Sequence, residues 1–492
     1  MKSVAYFLAI DQGTTSSRSI IFSQKGDILG VGQKEFRQYF PKPGWVEHDA
    51  VEIWESQIDT IKESIRSAGL NAGDITAMGI TNQRETVVAW DAETGVPLAP
   101  AIVWQDRRTS DICQTLKANG LEPYIQEVTG LRLDAYFSAT KMLWMLNHLD
   151  KVAEASRKGS LRFGTIDSWL LWNLTKREKY LTDPSNASRT LLYDIRNNNW
   201  DEYLLRQFSV SQQNLPQINP SCGFFGKSHP AILGKPIPIT AILGDQQAAL
   251  YGHDAWNAGE AKSTFGTGCF VLLNTGKTLV RSAHGSLTTV AWQKENSITY
   301  ALEGSVFSAG SAVQWLRDGL GLIQKSAETE TLAKSILQND GVYVVPAFTG
   351  LGAPYWDMEA RGLITGLTRG TTKAHLVRAT LESIAYQTYD LMIFMEKDAG
   401  FKFKSIYVDG GATNNNFLMQ FLSDILEVTV IRPDVQEMTA LGIAKMAAEG
   451  VGARISKENS KSTVFYPQIP REVVKQWIDG WHDAVKRARS TQ

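Results

Sequence analysis

The sequence predicts an α/β protein built from two related domains, each a mixed sheet flanked by helices. The chain has 492 residues, of which 43% are hydrophobic, and a single core usually stops growing near about 250–300 residues. Strand and helix patterns are mixed along the whole chain. A strand, a loop of small residues and a second strand occur in residues 8–29 and again in residues 261–275. We therefore expect one domain in residues 1–253 and the other in residues 254–492.

The first domain is predicted to begin with three antiparallel strands. The apolar runs YFLAI and SIIF flank the tip DQGTTSSR, and QKGD supplies a turn before ILGVGQKEF. Apolar residues at helical spacing follow from Asp49 to Ile65, and Asp49 is suited to cap that helix. The segments DITAMGITNQ, TVVAWD and PLAPAIVWQ return to strand patterns.

The second domain is predicted to open with the strands of AKSTFGTGCFVLLNT. A helix in SAGSAVQWLRDGL, a strand in GVYVVPAF and a long helix in KAHLVRATLESIAYQTYDLMIFMEKD follow. The strand SIYVDGGATNNN, the helix NFLMQFLSDIL, the strand EVTVIRP and the helix TALGIAKMAAEG complete the series. An amphipathic helix is expected near the end of the tail.

The composition indicates a protein that acts on small molecules. Lys and Arg number 50 against 51 for Asp and Glu, a formal net charge of −1, so no basic field attracts nucleic acid. Three unclustered cysteines suggest neither a disulfide framework nor a zinc site and favour a reducing cytoplasm. No apolar run approaches the length of a membrane span, and no signal peptide is recognisable. We expect a cytoplasmic protein whose partners are small molecules or copies of itself.

Three loops of small residues, each following an apolar strand, are candidate phosphate-binding loops. Glycine and short hydroxyl side chains let backbone N–H groups approach an anion closely. The same residues are also ordinary turn formers, so one such loop alone is weak evidence, but three together favour nucleotide binding. The loops are DQGTTSSR, with Gly13, Thr14, Thr15, Ser16 and Arg18; FGTGC, with Gly266, Thr267 and Gly268; and DGGATNNN, with Gly410 and Gly411.

Asp11 is a candidate Mg²⁺ ligand. A carboxylate beside a phosphate-binding loop would be repelled by phosphate unless a metal ion lay between them. The alternative is an Asx turn that stabilises the hairpin. The sequence contains neither a GxxxxGK[ST] loop nor a GxGxxG fingerprint, so it supports neither a P-loop nucleotidase nor a Rossmann enzyme.

The order of these motifs resembles a known superfamily. DQGTTSSR, FGTGC and DGGATNNN are similar to the two phosphate loops and the adenosine loop of the actin-like, Hsp70-like and sugar-kinase proteins. The segments YFSATKMLWML and GLITGLTRGTTKAHLVRATLESIAYQ resemble the two signatures of the FGGY family of carbohydrate kinases. The resemblance covers nearly the whole chain. It implies two actin-like (ribonuclease H-like) domains with a catalytic cleft between them.

The residues also suggest a pocket for a small polyol. In TNQRET, Arg84 can donate to hydroxyl groups and Glu85 can accept from them, while Trp104 and Phe270 are suited to wall a carbon chain. Adjacent Arg and Glu are also common at solvated strand ends, and a strand Trp is usually core. Segments including PKPGWVEHD, NASRT and YVVPAFTGLGAPYWD resemble the family members that phosphorylate glycerol. That resemblance implies glycerol contacts from Arg84, Glu85, Tyr136, Asp245 and Gln246, with Trp104 and Phe270 packing on it.

Asp245, between a strand and a helix in LGDQQAAL, could be a helix cap or a catalytic base. The resemblance assigns it as the base that accepts the proton of a primary hydroxyl as that hydroxyl attacks the γ-phosphorus of ATP. It also places Mg²⁺ on Asp11 and Asp245, and phosphates on the loop of Thr14, Thr15, Ser16 and Arg18. The nucleotide side is expected to comprise Thr267, Gly310, Gln314, Gly411 and Asn415. Members of this family commonly form homodimers or homotetramers, which we also expect here.

Two alternatives stay open at this stage. One is another kinase of the same family, for example one acting on a ketopentose. Such relatives typically carry Gly-Gln-Met-His-Gly where this chain has GITNQRET. The other is a protein of the same fold that binds a polyol or a nucleotide as a sensor and catalyses no reaction. In a sensor that no longer catalyses a reaction, we would expect other residues in place of Asp11, Arg84 and Asp245. All three are present.

Overall fold

The computed structural model describes residues 5–357, 359–435, 437–456 and 461–490. In these residues one sheet of thirteen strands runs through the molecule. Its strands, in chain order, are β1 (Tyr6–Gln12), β2 (Ser16–Ser23), β3 (Ile28–Glu35), β4 (Ile75–Asn82), β5 (Cys222–Lys227), β6 (Pro238–Gly244), β7 (Glu260–Phe265), β8 (Cys269–Gly276), β9 (Leu287–Lys294), β10 (Ser297–Val306), β11 (Ser405–Asp409), β12 (Thr429–Pro433) and β13 (Ser462–Phe465).

Helices cover both faces of this sheet. They are α1 (Ala50–Ser67), α2 (Ser110–Ala118), α3 (Glu122–Thr129), α4 (Ser138–His148), α5 (Asp150–Lys158), α6 (Ile166–Leu174), α7 (Pro184–Ala187), α8 (Glu202–Gln207), α9 (Pro230–Leu233), α10 (Asp245–Gly252), α11 (Gly310–Gln314), α12 (Glu328–Lys334), α13 (Lys373–Ala399), α14 (Asn416–Leu426), α15 (Met438–Glu449) and α16 (Arg471–Ala488).

Several short elements complete the fold. Two-stranded pairs join Glu47–His48 to Ala101–Ile102, Val88–Asp91 to Leu161–Gly164, Leu181–Thr182 to Gln217–Ile218, Tyr193–Asp194 to Asn199–Trp200, and Tyr343–Val345 to Leu363–Thr365. Single 3₁₀ turns occupy Ala72–Asp74, Gln212–Asn214 and Gly411–Asn414, and Trp315–Gly319 forms a π-helical turn.

The sheet consists of two similar halves. In the first, β3, β2 and β1 are antiparallel, and β4 and β6 then extend the sheet parallel to β1. In the second, β10, β8 and β7 are antiparallel, and β11 and β12 continue parallel to β7. The two halves meet between β5 and β9, where Cys222 pairs with Lys294. The repeated pattern predicted from the two strand–loop–strand segments is confirmed.

Helix α15 belongs to the second half of the sequence but packs on the first half of the sheet. Its apolar residues form one buried cluster with residues of β1, β4, β6 and α10. Close packing of α10 on α15 requires glycine at two positions: a Cβ on Gly252 would clash with the Met438 carbonyl, and a Cβ on Gly442 would clash with the Ala248 carbonyl. This crossing ties the two halves together.

Most elements lie where the sequence predicts them. Asp49 caps α1 and accepts from the Val51 amide at 2.7 Å, and the predicted helix NFLMQFLSDIL is α14. Two predicted elements are longer than the observed ones. The segment SAGSAVQWLRDGL is α-helical only in Gly310–Gln314. The strand predicted in PLAPAIVWQ covers only Ala101–Ile102. No helix in the described part of the chain has both the length and the apolar character to cross a membrane.

Candidate active site

The parallel strands of the first half bring three segments together at one edge of the sheet. Gln12 at the end of β1 is in register with Asn82 at the end of β4, and Gly244 at the end of β6 is in register with the same Asn82. The carboxyl ends of parallel strands share one edge, where ligands of open α/β sheets usually bind. The first small-residue loop, Arg84 and Asp245 therefore lie side by side.

The loop after β1 is a tight hairpin, as its residues predict. The Gly13 amide donates to the Ser16 carbonyl at 2.9 Å, and Asp11 faces Arg18 across the hairpin. The Arg18 guanidinium donates to Gln33 Oε1 at 3.0 Å and forms an ion pair with Glu437. Arg18 therefore sits beside the loop and reaches the segment that precedes α15. Thr15 lies at the exposed tip.

Arg84 is the centre of a buried polar network. Its Nε lies 3.2 Å from Asp245 Oδ1, and its Nη1 and Nη2 donate to the two carboxylate oxygens of Glu303 at 2.5 and 3.1 Å. Only 3% of the Arg84 side chain is exposed. Arg84 and Asp245 were both predicted as site residues from the sequence, and the structure places them in direct contact.

Glu85 is held by a second arginine. Arg189 Nε donates to Glu85 Oε1 at 2.6 Å, and Arg189 Nη2 donates to Glu303 Oε1 at 2.9 Å. Glu85 also has a left-handed backbone, with φ of 64°, which is costly for a non-glycine residue and is typical of functional sites. Within the described residues, the buried Nη1 of Arg189 has no hydrogen-bond partner.

For both glutamates of this network, burial raises the pKa and the neighbouring arginines lower it. Burial alone would raise the pKa of Glu303, but Arg189 and Arg84 lower it to about 2. Burial raises the pKa of Glu85 against the opposing charges of Arg189 and Arg84. Two arginines and two glutamates thus form a compact network in which a substrate hydroxyl would find donors and acceptors of fixed orientation.

Arg189 and Glu303 belong to this network but were not predicted as site residues from the sequence. Arg189 lies in NASRT, a segment quoted only for its resemblance. Glu303 is the single charged residue of the otherwise uncharged strand β10, and an isolated carboxylate at a buried strand position is a signal of pairing or function. Its partners could not be read from the sequence because they are contributed by the other half of the chain.

Trp104, predicted to wall the pocket, lies against Tyr136, predicted to hydrogen-bond the substrate. The rings of Trp104 and Tyr136 are 5.6 Å apart and nearly perpendicular, and burial raises the pKa of the Tyr136 phenol. Trp104 Nε1 donates to Thr14 Oγ1 at 3.0 Å, which connects this aromatic pair to the first loop. Lys141 Nζ donates to the Tyr136 and Phe137 carbonyls at 2.8 and 3.0 Å and so fixes the segment that carries Tyr136.

Phe270 approaches this network from the second half. It lies on β8 in register with Ser305 of β10, and the adjacent pair on the same sheet face is Leu272 with Glu303. Lys262 of β7 lies in the same row, in register with Leu272. Lys262 Nζ donates to Gln246 Oε1, so the predicted substrate residue Gln246 is in contact with the second half of the chain.

Asp245 is not the cap of α10. The capping position belongs to Gly244, and Asp245 is the first residue of the helix. Its Oδ1 accepts from the Gln246 amide at 2.7 Å, and 30% of its side chain is exposed. Asp245 therefore binds an amide of the first helical turn from inside the helix rather than from the cap position, and its carboxylate stays partly exposed.

The second small-residue loop packs on the start of α11. The Gly310 amide donates to the Gly266 carbonyl at 2.9 Å, and the Ser311 amide donates to the Thr267 carbonyl at 3.0 Å. A Cβ on Gly310 would lie 2.5 Å from the Gly266 carbonyl, so only glycine fits there. Gln314, at the end of the same helix, is exposed.

The third loop leads into α14. Gly410 has φ of 93°, and a side chain there would collide with the Phe265 carbonyl. Gly411 faces open space. Asn415 caps α14 through the Leu418 amide at 3.0 Å and donates to Thr329 Oγ1 at 3.1 Å. A pocket of about 250 Å³ lies beside this loop and is lined by Asp409 among others.

The predicted residues thus form two groups. In the first half, Trp104 contacts both Thr14 and Tyr136, and Arg84 contacts Asp245. In the described residues, no hydrogen bond or ion pair joins the second group to Asp245; that group comprises Thr267, Gly310, Gln314, Gly411 and Asn415.

The residues around Asp11 suit a magnesium ion bound together with phosphate oxygens. Burial, followed in the same direction by the charges of Asp245 and Glu437, raises the pKa of Asp11 to about 7 despite the opposing charge of Arg18. A cation would relieve this repulsion between carboxylates. The described residues contain no cluster of three His, Cys, Asp or Glu side chains that could hold a metal by themselves. Mg²⁺ usually takes only one or two carboxylates, with phosphates and water completing the shell.

Comparison with known proteins identifies the family. Residues 6–252 match the N-terminal domain, and residues 261–450 the C-terminal domain, of the FGGY family of carbohydrate kinases. The chain is 52% identical to a glycerol kinase of Petrotoga mobilis over 99% of this chain and 98% of the relative. It is 53% identical to a glycerol kinase of Brevibacillus brevis over 98% of this chain and 97% of the relative.

Solved structures agree with this result. The crystal structure of Plasmodium falciparum glycerol kinase with ADP matches with a TM-score of 0.94 and 36% identity, covering 99% of this chain and 98% of that one. A gluconate kinase of Lactobacillus acidophilus matches with a TM-score of 0.89 at 21% identity over 99% of both chains, which shows the shared fold alone. With two family domains and relatives of about half-identical sequence over nearly the full length, the chain belongs to the FGGY family of carbohydrate kinases.

Proposed function

We propose that this chain is an ATP:glycerol 3-phosphotransferase, which transfers the γ-phosphoryl group of ATP to a primary hydroxyl of glycerol and gives sn-glycerol 3-phosphate. The relatives that match nearly the whole chain at about 50% identity are glycerol kinases. One solved relative is a glycerol kinase with ADP, which supports ATP as the phosphoryl donor. The reaction is the entry step of glycerol breakdown.

One observation carries the proposal on structural grounds: Arg84 Nε lies 3.2 Å from Asp245 Oδ1. The side chain suited to bind an acceptor hydroxyl is therefore next to the carboxylate suited to remove its proton. Both lie at the strand edge that also bears the first phosphate-binding loop. Acceptor, base and phosphate sites at one sheet edge are what a kinase requires.

Glycerol binding is assigned to the polar network and its aromatic wall. Arg84 donates to glycerol hydroxyls and Glu85 accepts from them, while Trp104 and Phe270 pack on the carbon chain. Because Arg189 and Glu303 already fix the side chains of Arg84 and Glu85, little ordering is left to occur when glycerol binds. Gln246 and the Tyr136 hydroxyl supply further hydrogen bonds to glycerol.

Asp245 Oδ accepts the proton of the attacking hydroxyl. Phosphoryl transfer passes through a loose transition state, so alignment and charge neutralisation contribute most, and the base contributes less. Arg18 and the loop residues Thr14, Thr15 and Ser16 hold the phosphates in line with that hydroxyl. When bound by Asp11 and Asp245, Mg²⁺ supplies positive charge to the phosphate oxygens.

The second half is assigned to the nucleotide, through Thr267, Gly310, Gln314, Gly411 and Asn415. Because the two groups of residues belong to different halves of the chain, closure of one half on the other would bring donor and acceptor together and exclude water. Water exclusion limits wasteful hydrolysis of ATP. We assign the enzyme to the cytoplasm, where ATP is available and its three free thiols stay reduced. A homodimer or homotetramer remains a prediction, which light scattering tests.

The deciding experiment is a coupled assay of ADP release with Mg²⁺-ATP and a panel of glycerol, xylulose and gluconate. We expect kcat/KM for glycerol to exceed the other two values by at least about a hundredfold, because a site built around paired hydrogen bonds rejects poorly matched hydroxyls. Chromatography should identify glycerol 3-phosphate as the product. Equal turnover of xylulose, or ATP binding without any turnover, would refute the assignment.

A further inference from the structure

A second cavity lies between α13 and α16, away from the strand edge that carries the candidate active site. Its volume is about 440 Å³, within the range of pockets that bind small organic ligands. Five residues of α13 between positions 389 and 397, three residues of α16 between positions 482 and 486, and Arg489 directly after α16 line the cavity. At these spacings each helix turns one face toward it. The loop residue Tyr355 forms a third wall.

The floor of the cavity is an organised polar cluster. The Asp390 carboxylate accepts from the Tyr355 hydroxyl at 2.8 Å and from Trp481 Nε1 at 2.7 Å, and its second oxygen lies 2.8 Å from His482 Nε2. Asp390 and Trp481 are buried. Donation of a hydrogen bond from His482 to the Asp390 carboxylate raises the pKa of His482. Both oxygens of the Asp390 carboxylate therefore already accept hydrogen bonds from protein donors.

Three cations at the cavity have no such partner. Lys397, Lys486 and Arg489 line it, and among the described residues none of the three forms an ion pair with a carboxylate. Lys397 Nζ lies 4.6 Å from the Phe394 ring centre, and the Arg489 guanidinium lies 5.8 Å from the Tyr355 ring centre. Several like charges around one concavity raise the local concentration of anions.

Two carboxylates near the cavity form ion pairs with residues that do not line it. Asp483 on α16 pairs with Arg487 at 2.6 Å, and Asp398 at the end of α13 lies 2.7 Å from His284 Nδ1. Among the described residues no ion pair neutralises the three cations, and their side chains are exposed to solvent, where an anion can reach them. An anionic ligand is the simplest chemical match to this surplus of positive charge.

We propose that the cavity between α13 and α16 binds a small organic phosphate, with the phosphoryl group on Lys397, Lys486 and Arg489 and the organic part against the aromatic wall. Guanidinium and ammonium groups together suit a phosphate dianion. The cavity is much larger than a phosphate ion, and Tyr355, Tyr389 and Phe394 offer ring surface to the rest of the molecule. This site is distinct from the proposed catalytic site and does not depend on its assignment.

The test is isothermal titration calorimetry of the full chain with phenyl phosphate, after the proposed catalytic site has been saturated with glycerol and Mg²⁺-ADP. We expect binding that is about tenfold tighter than that of inorganic phosphate. The double variant Lys486→Gln/Arg489→Gln should weaken the binding of phenyl phosphate by at least about tenfold, as expected for lost charge-assisted hydrogen bonds. Lys475→Gln is the matched control, because Lys475 is exposed on α16 but does not line the cavity.

Four results would overturn the proposal. Phenyl phosphate could fail to bind, or bind the double variant as tightly as it binds the Lys475→Gln control. Citrate could bind more tightly than phenyl phosphate, which would assign the cavity to polycarboxylates. Light scattering could show that the double variant has a lower oligomeric state, in which case a second copy of the chain covers the cavity. Melting temperatures equal to that of the unsubstituted chain would establish that each variant is folded.

Discussion

Arg84 and Glu303 are 219 positions apart in the sequence, yet both guanidinium Nη atoms of Arg84 donate to the Glu303 carboxylate. The strand that carries Glu303 belongs to the second half of the sheet, and Arg84 follows a strand of the first half. The ion pair therefore crosses from one half of the chain to the other at the proposed glycerol pocket. It fixes the pocket and connects the two halves by the same contact.

Replacing Glu303 with Gln should destabilise the protein and weaken glycerol binding. The change keeps the shape of the side chain but leaves Arg84 and Arg189 with one carboxylate fewer, and breaking a buried ion pair typically costs about 3–5 kcal/mol. We expect the melting temperature to fall by about 10 °C and KM for glycerol to rise more than KM for ATP.

The matched control for this variant is Glu154→Gln. Glu154 pairs with Lys158 on the surface of α5, and more than half of each side chain is exposed, so its loss should cost less than about 1 kcal/mol. Equal melting temperatures of the two variants would show that the buried pair contributes little to stability.

Replacing Asp245 with Asn should abolish most turnover while ATP binding survives. The amide cannot accept the proton of the attacking hydroxyl, and general bases typically contribute about 10²–10⁴ in rate. Asp245 is partly exposed and does not cap its helix, so the fold should persist. The measurements are kcat at saturating glycerol and calorimetric binding of ATP, with the exposed Asp318→Asn as control. A variant that keeps more than a tenth of the normal kcat would contradict the assignment of Asp245 as base.

The hydrogen bond from Trp104 to Thr14 should couple the glycerol wall to the phosphate-binding loop. Trp104→Phe keeps an aromatic wall but removes the donor, and Thr14→Val removes the acceptor while keeping the side-chain shape. A neutral hydrogen bond contributes about 0.5–1.5 kcal/mol, so the coupling energy from kcat/KM of both single variants and the double variant should lie in that range. Strictly additive effects would mean that the two sites act independently.

Much of the site follows from local sequence features. The hairpin around Gly13, the Asp49 cap and the placement of Arg84 and Asp245 at strand ends depend on neighbours in sequence and on the rule that parallel strands end at one edge. Phe270 also lies where a strand following a small-residue loop would place it. These features could be predicted because turn chemistry and strand order are encoded within short segments.

Other parts of the site depend on contacts between distant segments. Arg189 and Glu303 are paired only because the two halves meet, and a single sequence does not show which buried charges become partners. The position of Asp245 inside α10 was also not predictable, since Gly and Asp are both common caps and the choice rests on one residue of register. The Trp104–Thr14 contact likewise depends on how two separate strands are placed.

The buried imidazole of His48 should make the stability of the first half sensitive to acid. His48 is fully buried, its Nε2 lies 2.6 Å from Gln38 Oε1, and burial lowers its pKa from 6.5 to about 4. In the unfolded chain the imidazole has its ordinary pKa and binds a proton first as the pH falls. The contribution of neutral His48 to the free energy of unfolding is therefore fully present above pH 6.5 and is lost as the pH falls toward 4.

At about 1.36 kcal/mol for each pH unit, roughly 2 kcal/mol of the stability that depends on neutral His48 should be lost between pH 6.5 and pH 5. His48→Gln removes this titration, so its melting temperature should fall several degrees less than that of the unsubstituted chain when the pH is lowered from 7.5 to 5.0. The comparison cancels the contribution of carboxylates, which titrate in both proteins. His148→Gln, at an exposed position of α4, controls for the loss of a histidine as such. If the melting temperatures of the His48 variant and the unsubstituted chain fell by the same amount between pH 7.5 and 5.0, protonation of His48 would carry no free-energy cost in the folded state.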